Sequence, residues 1–304
     1  MNRKTVIIVT GPTAAGKTAL ALDLACRYKT DIISADSRQC YTELNIGVAK
    51  PSPEELARVR HYFINSHSIK DSLSAAAFEQ YALKAAEEIF ETHDTAIMVG
   101  GSGLYIRAFC EGLDEMPQIP SEVRDKITKQ YNQNGLSWLQ EQVRLYDSVY
   151  YDSGELLNPR RLIRALEIIK VTGRSIRQLQ RQSKIARHFT SIKIGIDLPR
   201  QILYQRINER TDLMMKEGLL AEVSSLASFR SYPALQTVGY SELFNFLDGS
   251  LSLAEAIEKI KINTRHYARR QLTWFRKDQE IRWLSNPGIE AAMTAIEKPD
   301  QAKL

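Results

Sequence analysis

The segment Gly11-Pro12-Thr13-Ala14-Ala15-Gly16-Lys17-Thr18 has the residue types and spacing that handle a polyphosphate. A loop of the form G-x-x-x-x-G-K-T turns successive backbone N–H groups inward at a helix N-terminus, where aligned peptide dipoles add to their pull on an anion. Lys17 is expected to neutralise phosphate oxygens, and the Thr18 hydroxyl to meet Mg²⁺ directly or through water. Phosphate binding alone leaves the reaction open. A carboxylate narrows it. Asp31-Ile32-Ile33-Ser34-Ala35-Asp36 reads as a buried strand ending in an acid, and ligands of open α/β sheets bind beyond the carboxyl ends of strands. Asp36 is therefore expected to face the phosphate cargo, the competing reading being a cap for the next helix. A third loop, Gly100-Gly101-Ser102-Gly103, follows the apolar run at 95–99, and its glycines admit a ligand or another backbone at close range.

Such loops need a sheet to hold them. The β-branched run at 5–10 leads straight into the Gly-rich loop, and the apolar-periodic segment at 19–28 follows, which is the strand–loop–helix context a P-loop requires. Further strands are expected at 61–64, 95–99, 191–197 and 281–284, with an amphipathic helix over 74–92 capped by Ser74. Met116-Pro117-Gln118-Ile119-Pro120 looks like a hinge, and 121–187 reads as helices broken at Gly135, Gly154 and Gly173. From Pro199 the chain is expected to be helical over 201–217, 219–229, 240–247 and 253–277, with a frayed tail after Pro287. The fold class is therefore α/β: a P-loop parallel-sheet core over 1–115 and 191–304, an inserted all-helical domain over 116–190, and a helical C-terminal part.

At 304 residues, 43% hydrophobic and 25% charged, the chain has the composition of an ordinary soluble globular protein. The apolar run behind Arg3 and Lys4 is too short for a signal peptide, and no stretch of about 18 apolar residues occurs. A cytoplasmic enzyme with no membrane segment is the expectation. Cys26, Cys40 and Cys110 are scattered, without C-x-x-C spacing, and read as reduced thiols. The net charge of +5 is unevenly spread. Residues 158–187 hold nine Lys/Arg against one acid, Glu167, and residues 259–277 hold seven against none. Excess of that size points to a polyanion, with nucleic acid ahead of a membrane. Helical spacing sets Leu162, Leu166 and Ile169 toward a core and Arg160, Arg161 and Arg164 on the other face. In the last long helix Lys261, Arg265 and Arg269 stack at i, i+4 and i+8, opposite an inward stripe of Ile257, Ile260, Thr264, Tyr267, Gln271 and Trp274. Like charges so spaced repel by a few tenths of a kcal/mol, roughly, unless an anion lies against them.

Together these signals resemble the tRNA dimethylallyltransferase family, also called tRNA isopentenyltransferases, over residues 6 to about 284. Besides residues 11–18, the resemblance rests on Asp36-Ser37-Arg38-Gln39 with Tyr41, Gly47 with Ala49-Lys50-Pro51, and Gly100-Gly101-Ser102-Gly103-Leu104-Tyr105. It continues through Arg160-Arg161 with Arg164-Ala165-Leu166-Glu167, Arg206 and Arg210 before Met214 and Gly218, Val238-Gly239-Tyr240, and Thr264-Arg265 through Arg270-Gln271-Leu272-Thr273-Trp274-Phe275. The family usually has Thr where this chain has Ser102, Lys where it has Arg269, and a His pair where it has His61-Tyr62. Ser102 keeps the hydroxyl and Arg269 the charge. No C-terminal zinc finger of the kind common in eukaryotic relatives is present, so the bacterial type is expected.

The resemblance implies transfer of a dimethylallyl group from dimethylallyl diphosphate to N6 of adenosine 37, next to the anticodon of tRNA, with Mg²⁺ as cofactor. A monomer is expected. It implies catalytic roles for Asp36, Lys17 and Arg210, with Arg210 also at the diphosphate beside residues 11–18. Contacts to tRNA fall to Asp36, Ser37, Arg38, Gln39, Ser102, Arg124, Arg160, Arg161, Leu162, Ile163, Arg164, Arg265, Arg269, Arg270 and Arg276, with the insert gripping the anticodon stem-loop. The residue types suit that chemistry. An allylic diphosphate departs with growing negative charge, which loop N–H groups and cations stabilise. Adenine's exocyclic amine is a poor nucleophile, so a carboxylate that accepts its proton speeds the step by roughly 10²- to 10⁴-fold. The base must first leave the stack. A P-loop nucleotide kinase, a prenyltransferase acting on free AMP or ADP, and a non-enzymatic RNA-binding switch are the alternatives.

Overall fold

The computed structural model describes residues 4–71, 73–180 and 184–297. Arg3, and Arg181 among the nine basic residues of 158–187, lie outside them, as does the tail beyond Glu297. Two compact units are formed, one of Met1–Glu111 with Ala186–Leu304 and one of Gly112–Ile185.

The first unit is built on a parallel sheet of six strands: β1 (Thr5–Thr10), β2 (Ile32–Ser34), β3 (His61–Tyr62), β4 (Thr95–Gly100), β5 (Thr190–Ile196) and β6 (Arg282–Leu284), in spatial order β3-β2-β4-β1-β5-β6. Val9 pairs with Val99, and Val99 with Ser34. The carboxyl ends of β1, β4 and β2 therefore lie side by side, and the three chemistry-bearing loops of the sequence leave from one edge.

Helices cover both faces of the sheet, so β1 is a continuous apolar run. Val6 and Ile8 point into one core with Ile33 and Met98; Ile7 and Val9 point into the other with Ile32 and Ile97. Helices α1 (Lys17–Tyr28), α2 (Pro53–Arg58), α3 (Ala75–Thr92) and α4 (Gly103–Glu111) connect these strands. Phe78, Ala82 and Ile89 of α3 and Phe109 of α4 fill the first core, while Leu20 and Leu24 of α1 fill the second. All are essentially fully buried, and truncating one such side chain, Ile8→Ala for instance, removes about 2 to 5 kcal/mol.

The second unit, described by itself, is helical: α5 (Ser121–Tyr146), α6 (Ser148–Ser153), α7 (Pro159–Thr172) and α8 (Ile176–Leu179). Its core holds Ile127, Leu139, Val143, Leu162, Ala165 and Leu166. α7 starts where Asn158 accepts from the Arg161 N–H with Pro159 at the first turn, and it stops at Gly173 in a left-handed conformation, φ 68°. Gly135 breaks α5 as expected: with φ 75° and ψ −169° it is non-helical and divides the element into two helical runs joined at a kink. The helical reading to 187 stops short, at Leu179. Ala186 to Phe189 belongs with the sheet unit because Phe189 stacks on Phe109 at 4.9 Å and Arg187 donates to the carbonyls of Ala108 and Phe109, both at 2.8 Å.

Returning to the sheet unit, β5 is followed by α9 (Arg200–Lys216), α10 (Leu219–Ser225), a single 3₁₀ turn at Ala227–Phe229, α11 (Tyr240–Leu247) and α12 (Leu253–Phe275). The expected single helix over 219–229 is thus split at Leu226. After β6 the chain is not frayed: α13 (Ile289–Glu297) packs Ile289, Ala292, Met293 and Ile296 against the core that holds α1. Their i, i+3, i+4, i+7 spacing is an amphipathic signal that a Pro287 boundary obscured. No described helix is long and apolar enough to cross a membrane.

Candidate active site

Gly11, Ala14 and Gly16 give the loop after β1 its shape, with φ of 139°, 62° and 94°. A Cβ at Gly11 would come 2.9 Å from the Ile196 carbonyl, so only glycine lets the loop pass β5. Gly16 caps α1, and Lys17 and Thr18 open it, so the loop N–H groups and the helix terminus share one anion-directed end. The Lys17 ammonium donates to the Pro12 carbonyl at 2.7 Å. Loss of solvent pushes its pKa down to about 8; Asp36 opposes that shift and Arg210 adds to it. Arg210, from α9, donates to the Thr13 hydroxyl at 3.3 Å, and burial lowers its pKa while Asp36 raises it. Both cations are half-buried by accessible surface, and Asp36 is the acid that opposes the cost of their lost hydration.

Asp36 follows β2 and does two things. One carboxylate oxygen accepts from the backbone N–H of Arg38 at 2.9 Å and of Gln39 at 3.4 Å, and the residue also lines the cavity with Lys17 and Arg210. Asp36 therefore caps a turn and not the next helix, which starts at Pro53 under a Ser52 cap. The corner after β4 fixes the same turn. Ser102 accepts the Ser37 N–H at 3.1 Å, and its own N–H donates to the Ala35 carbonyl at 3.2 Å. A Cβ at Gly100 would meet the Ala35 backbone at 2.2 Å, which explains the first glycine of that corner.

A cavity of about 290 Å³ opens between these loops. Its polar end carries Thr13, Lys17, Thr18, Asp36 and Arg210; Ile207, Met214, Leu219, Val238 and Ile260 give it an apolar wall. Thr264 and Tyr267 of α12 line it as well, and the Tyr267 hydroxyl is pushed up to about 12, by burial first and then by Asp36, against Arg38 and Arg270. The expected inward stripe holds at Ile260 and Gln271, which are buried, and at Thr264 and Tyr267, which line the cavity, but not at Trp274, which is 36% exposed; Ala256, Ala268 and Phe275 enter the core beside it.

Two polar residues absent from the expected site brace it. Glu222 of α10 accepts backbone N–H groups from Asn45 at 3.1 Å, Ile46 at 2.8 Å and Gly47 at 3.1 Å, and the Tyr240 hydroxyl at 2.6 Å. It thereby holds the loop whose Gly47, Val48 and Ala49 form another wall, and Gln39 closes that loop by donating to the Ala49 carbonyl at 2.8 Å. Gln271 of α12 accepts the Thr13 N–H at 2.8 Å and donates to the Gly101 carbonyl at 3.0 Å.

The basic residues are less bare than their count suggests. Lys261 meets Asp212 at 2.8 Å, Arg265 donates to Asn208 at 2.7 Å, and Arg276 meets Asp197 at 2.9 Å. Protein acids, then, offset part of the repulsion that a phosphate backbone was expected to relieve. Arg269 and Arg270 are exposed, with Arg270 over the Tyr267 ring at 5.9 Å. In the helical unit, Glu167 is buried and meets Arg124 at 3.0 Å and Arg164 at 3.3 Å, while Arg161 pairs with Glu155. Arg160 is exposed, Ile163 half-buried, and Leu162 fully buried, so Leu162 supports α7 from inside instead of presenting a side chain to RNA.

A parallel sheet with a P-loop at its central strand, sharing one cavity with a carboxylate, defines a P-loop α/β protein equipped to do chemistry on a phosphorylated substrate. The model of the IPP transferase family matches residues 39–278, and the chain belongs to that family. It is 47% identical over 279 residues to tRNA dimethylallyltransferase 1 of Bacteroides thetaiotaomicron, covering 92% of this chain and 91% of that protein. The crystal structure of the full-length tRNA isopentenylpyrophosphate transferase of Bacillus halodurans aligns with a TM-score of 0.70 at 34% identity, over 97% of this chain and 94% of that one. A eukaryotic dimethylallyltransferase acting on tRNA, 23% identical over 96% of this chain and 78% of that one, shares the fold with a TM-score of 0.77.

Proposed function

We propose that this enzyme transfers the dimethylallyl group of dimethylallyl diphosphate to N6 of the adenosine 3′ to the anticodon of tRNA, adenosine 37. The observation that carries the proposal is that one cavity joins two cations and a P-loop to a carboxylate and an apolar wall. The loop N–H groups, Lys17 and Arg210 take the diphosphate and stabilise the charge it gains as the allylic carbon–oxygen bond breaks. Ile207, Met214, Leu219, Val238 and Ile260 shield the five-carbon group from water. The flipped adenine presents its amine to Asp36, which accepts the proton as the new carbon–nitrogen bond forms.

Mg²⁺ fits the donor set. Among the described residues no cluster of three His, Cys, Asp or Glu could hold a metal, and Mg²⁺ needs none, since it binds through substrate phosphates, waters and one or two protein oxygens. The Thr18 hydroxyl would hold it; bound there, the ion would neutralise diphosphate oxygens. The helical unit, with Arg160, Arg161 and Arg164 on α7, grips the anticodon stem-loop through phosphates, and Ser37, Arg38, Gln39, Ser102, Arg269 and Arg270 meet the loop. The enzyme acts as a cytoplasmic monomer.

Product analysis tests the proposal. The protein is incubated with ATP or dimethylallyl diphosphate, and with tRNA or AMP. A C5H8 gain on tRNA from dimethylallyl diphosphate alone is expected. Phosphate transfer from ATP would make the protein a kinase, and a prenylated AMP with unmodified tRNA would make it a free-nucleotide enzyme.

A further inference from the structure

Gln271 is 6% exposed, and both ends of its amide are engaged, with Thr13 of the P-loop on one side and Gly101 of the corner on the other. A Cβ at Gly101 would lie 2.2 Å from the Gln271 amide nitrogen, so that glycine makes room for this one side chain. From Gly101 the chain passes to Ser102, whose hydroxyl holds the Ser37 N–H next to Asp36. One side chain of α12 therefore ties the loop that takes the leaving group to the corner that orients the proton acceptor.

We infer that Gln271 is a positioning residue that fixes the distance between the donor's reacting carbon and the Asp36 carboxylate. The inference rests on the proposed prenyl transfer. Donor affinity comes from Lys17, Arg210 and the loop N–H groups, none of which Gln271 supplies. What it governs is alignment between two halves of the site, and a misplacement of about 1 Å lowers a rate by roughly 10²-fold. The role demands an amide. An ionised carboxylate accepts from Thr13 but cannot donate to the Gly101 carbonyl, and a thioether accepts only weakly and cannot donate.

The test compares the full-length protein with Gln271→Met and Gln271→Glu in single-turnover transfer to tRNA at saturating dimethylallyl diphosphate. Affinity for inorganic diphosphate and thermal unfolding are measured alongside. Gln271→Met is expected to lose roughly 10- to 100-fold in rate while its diphosphate affinity stays within about threefold of wild type. Gln271→Glu keeps the volume and the Thr13 contact. Its rate relative to wild type should rise as pH falls, because the protonated acid regains a donor for Gly101, a recovery that a merely structural role would not produce. A wild-type rate in Gln271→Met, a matching loss of diphosphate affinity, or a pH-independent Gln271→Glu ratio would overturn the inference. Wild-type protein that binds diphosphate but leaves tRNA unmodified would overturn the reaction itself, and this role with it.

Discussion

Lys17, Arg210 and Asp36 line a common cavity, whereas Arg164, Arg187, Lys261 and Arg276, all part of the positive surplus in the sequence, each meet an acid within 3.3 Å. At the cavity, burial works against the charges: the Lys17 pKa is pushed down to about 8 and that of Arg210 is lowered, so an anion bound there would supply what they lack. On the helices the fold supplies its own anions. A local count of basic residues therefore overstates the charge offered to RNA, while a single Lys in a Gly-rich loop understates what it can do. Not all pairs are alike. In the Arg276–Asp197 pair the guanidinium is 59% exposed and the carboxylate 33%, so solvent screens it and it is worth at most about 1 kcal/mol. Arg187 and Glu79 are 11% and 14% exposed and are screened far less.

The contrast can be broken most forcefully at Asp36. Asp36→Ala should slow single-turnover transfer by roughly 10²- to 10⁴-fold, and a rate near wild type would reduce Asp36 to the turn cap its hydrogen bonds also make it. Lys17→Met comes next and should lower both diphosphate affinity and rate. In the wild type that affinity should fall as pH rises through about 8, where the ligand-free ammonium loses its proton, and this component should vanish in Lys17→Met when calorimetry is repeated across pH. An identical pH profile in both proteins would remove Lys17 from diphosphate binding.

On the helical unit a smaller effect is expected. Changing Arg160 and Arg161 together to Ala should weaken tRNA binding by roughly tenfold and flatten its salt dependence by about two charges, with diphosphate affinity unchanged. Arg164 is best kept in that experiment because it neutralises the buried Glu167. Arg187→Met marks the small end of the scale: the protein should melt earlier while the salt slope of tRNA binding stays at the wild-type value. A changed slope would mean that the ion pair with Glu79 opens for RNA.

The sheet and its three loops were legible because local signals fix them: β-branched runs, glycines at corners and a Gly-Lys-Thr helix start. Asp36 could be placed from the end of a strand alone. Helical spacing turns Gln271 inward, but that it braces two loops, as Glu222 braces a third, could not be read, because their partners lie 258 and 175 to 177 positions away. The stripe of α12 was read correctly at Ile260, Thr264, Tyr267 and Gln271 and wrongly at Trp274. Periodicity assigns one stripe inward, yet the helix lies along both core and cavity, so Tyr267 and Trp274 keep more than a third of their surface in the open.

Transfer to adenosine 37 is tested most directly with wild-type protein, labelled dimethylallyl diphosphate and two tRNA transcripts, one with adenosine 37 and one with guanosine in its place. One label per molecule is expected on the first, recovered after digestion as N6-dimethylallyladenosine, and none on the second. Equal labelling of both transcripts, or label on neither while the protein binds diphosphate, would contradict prenyl transfer to that base.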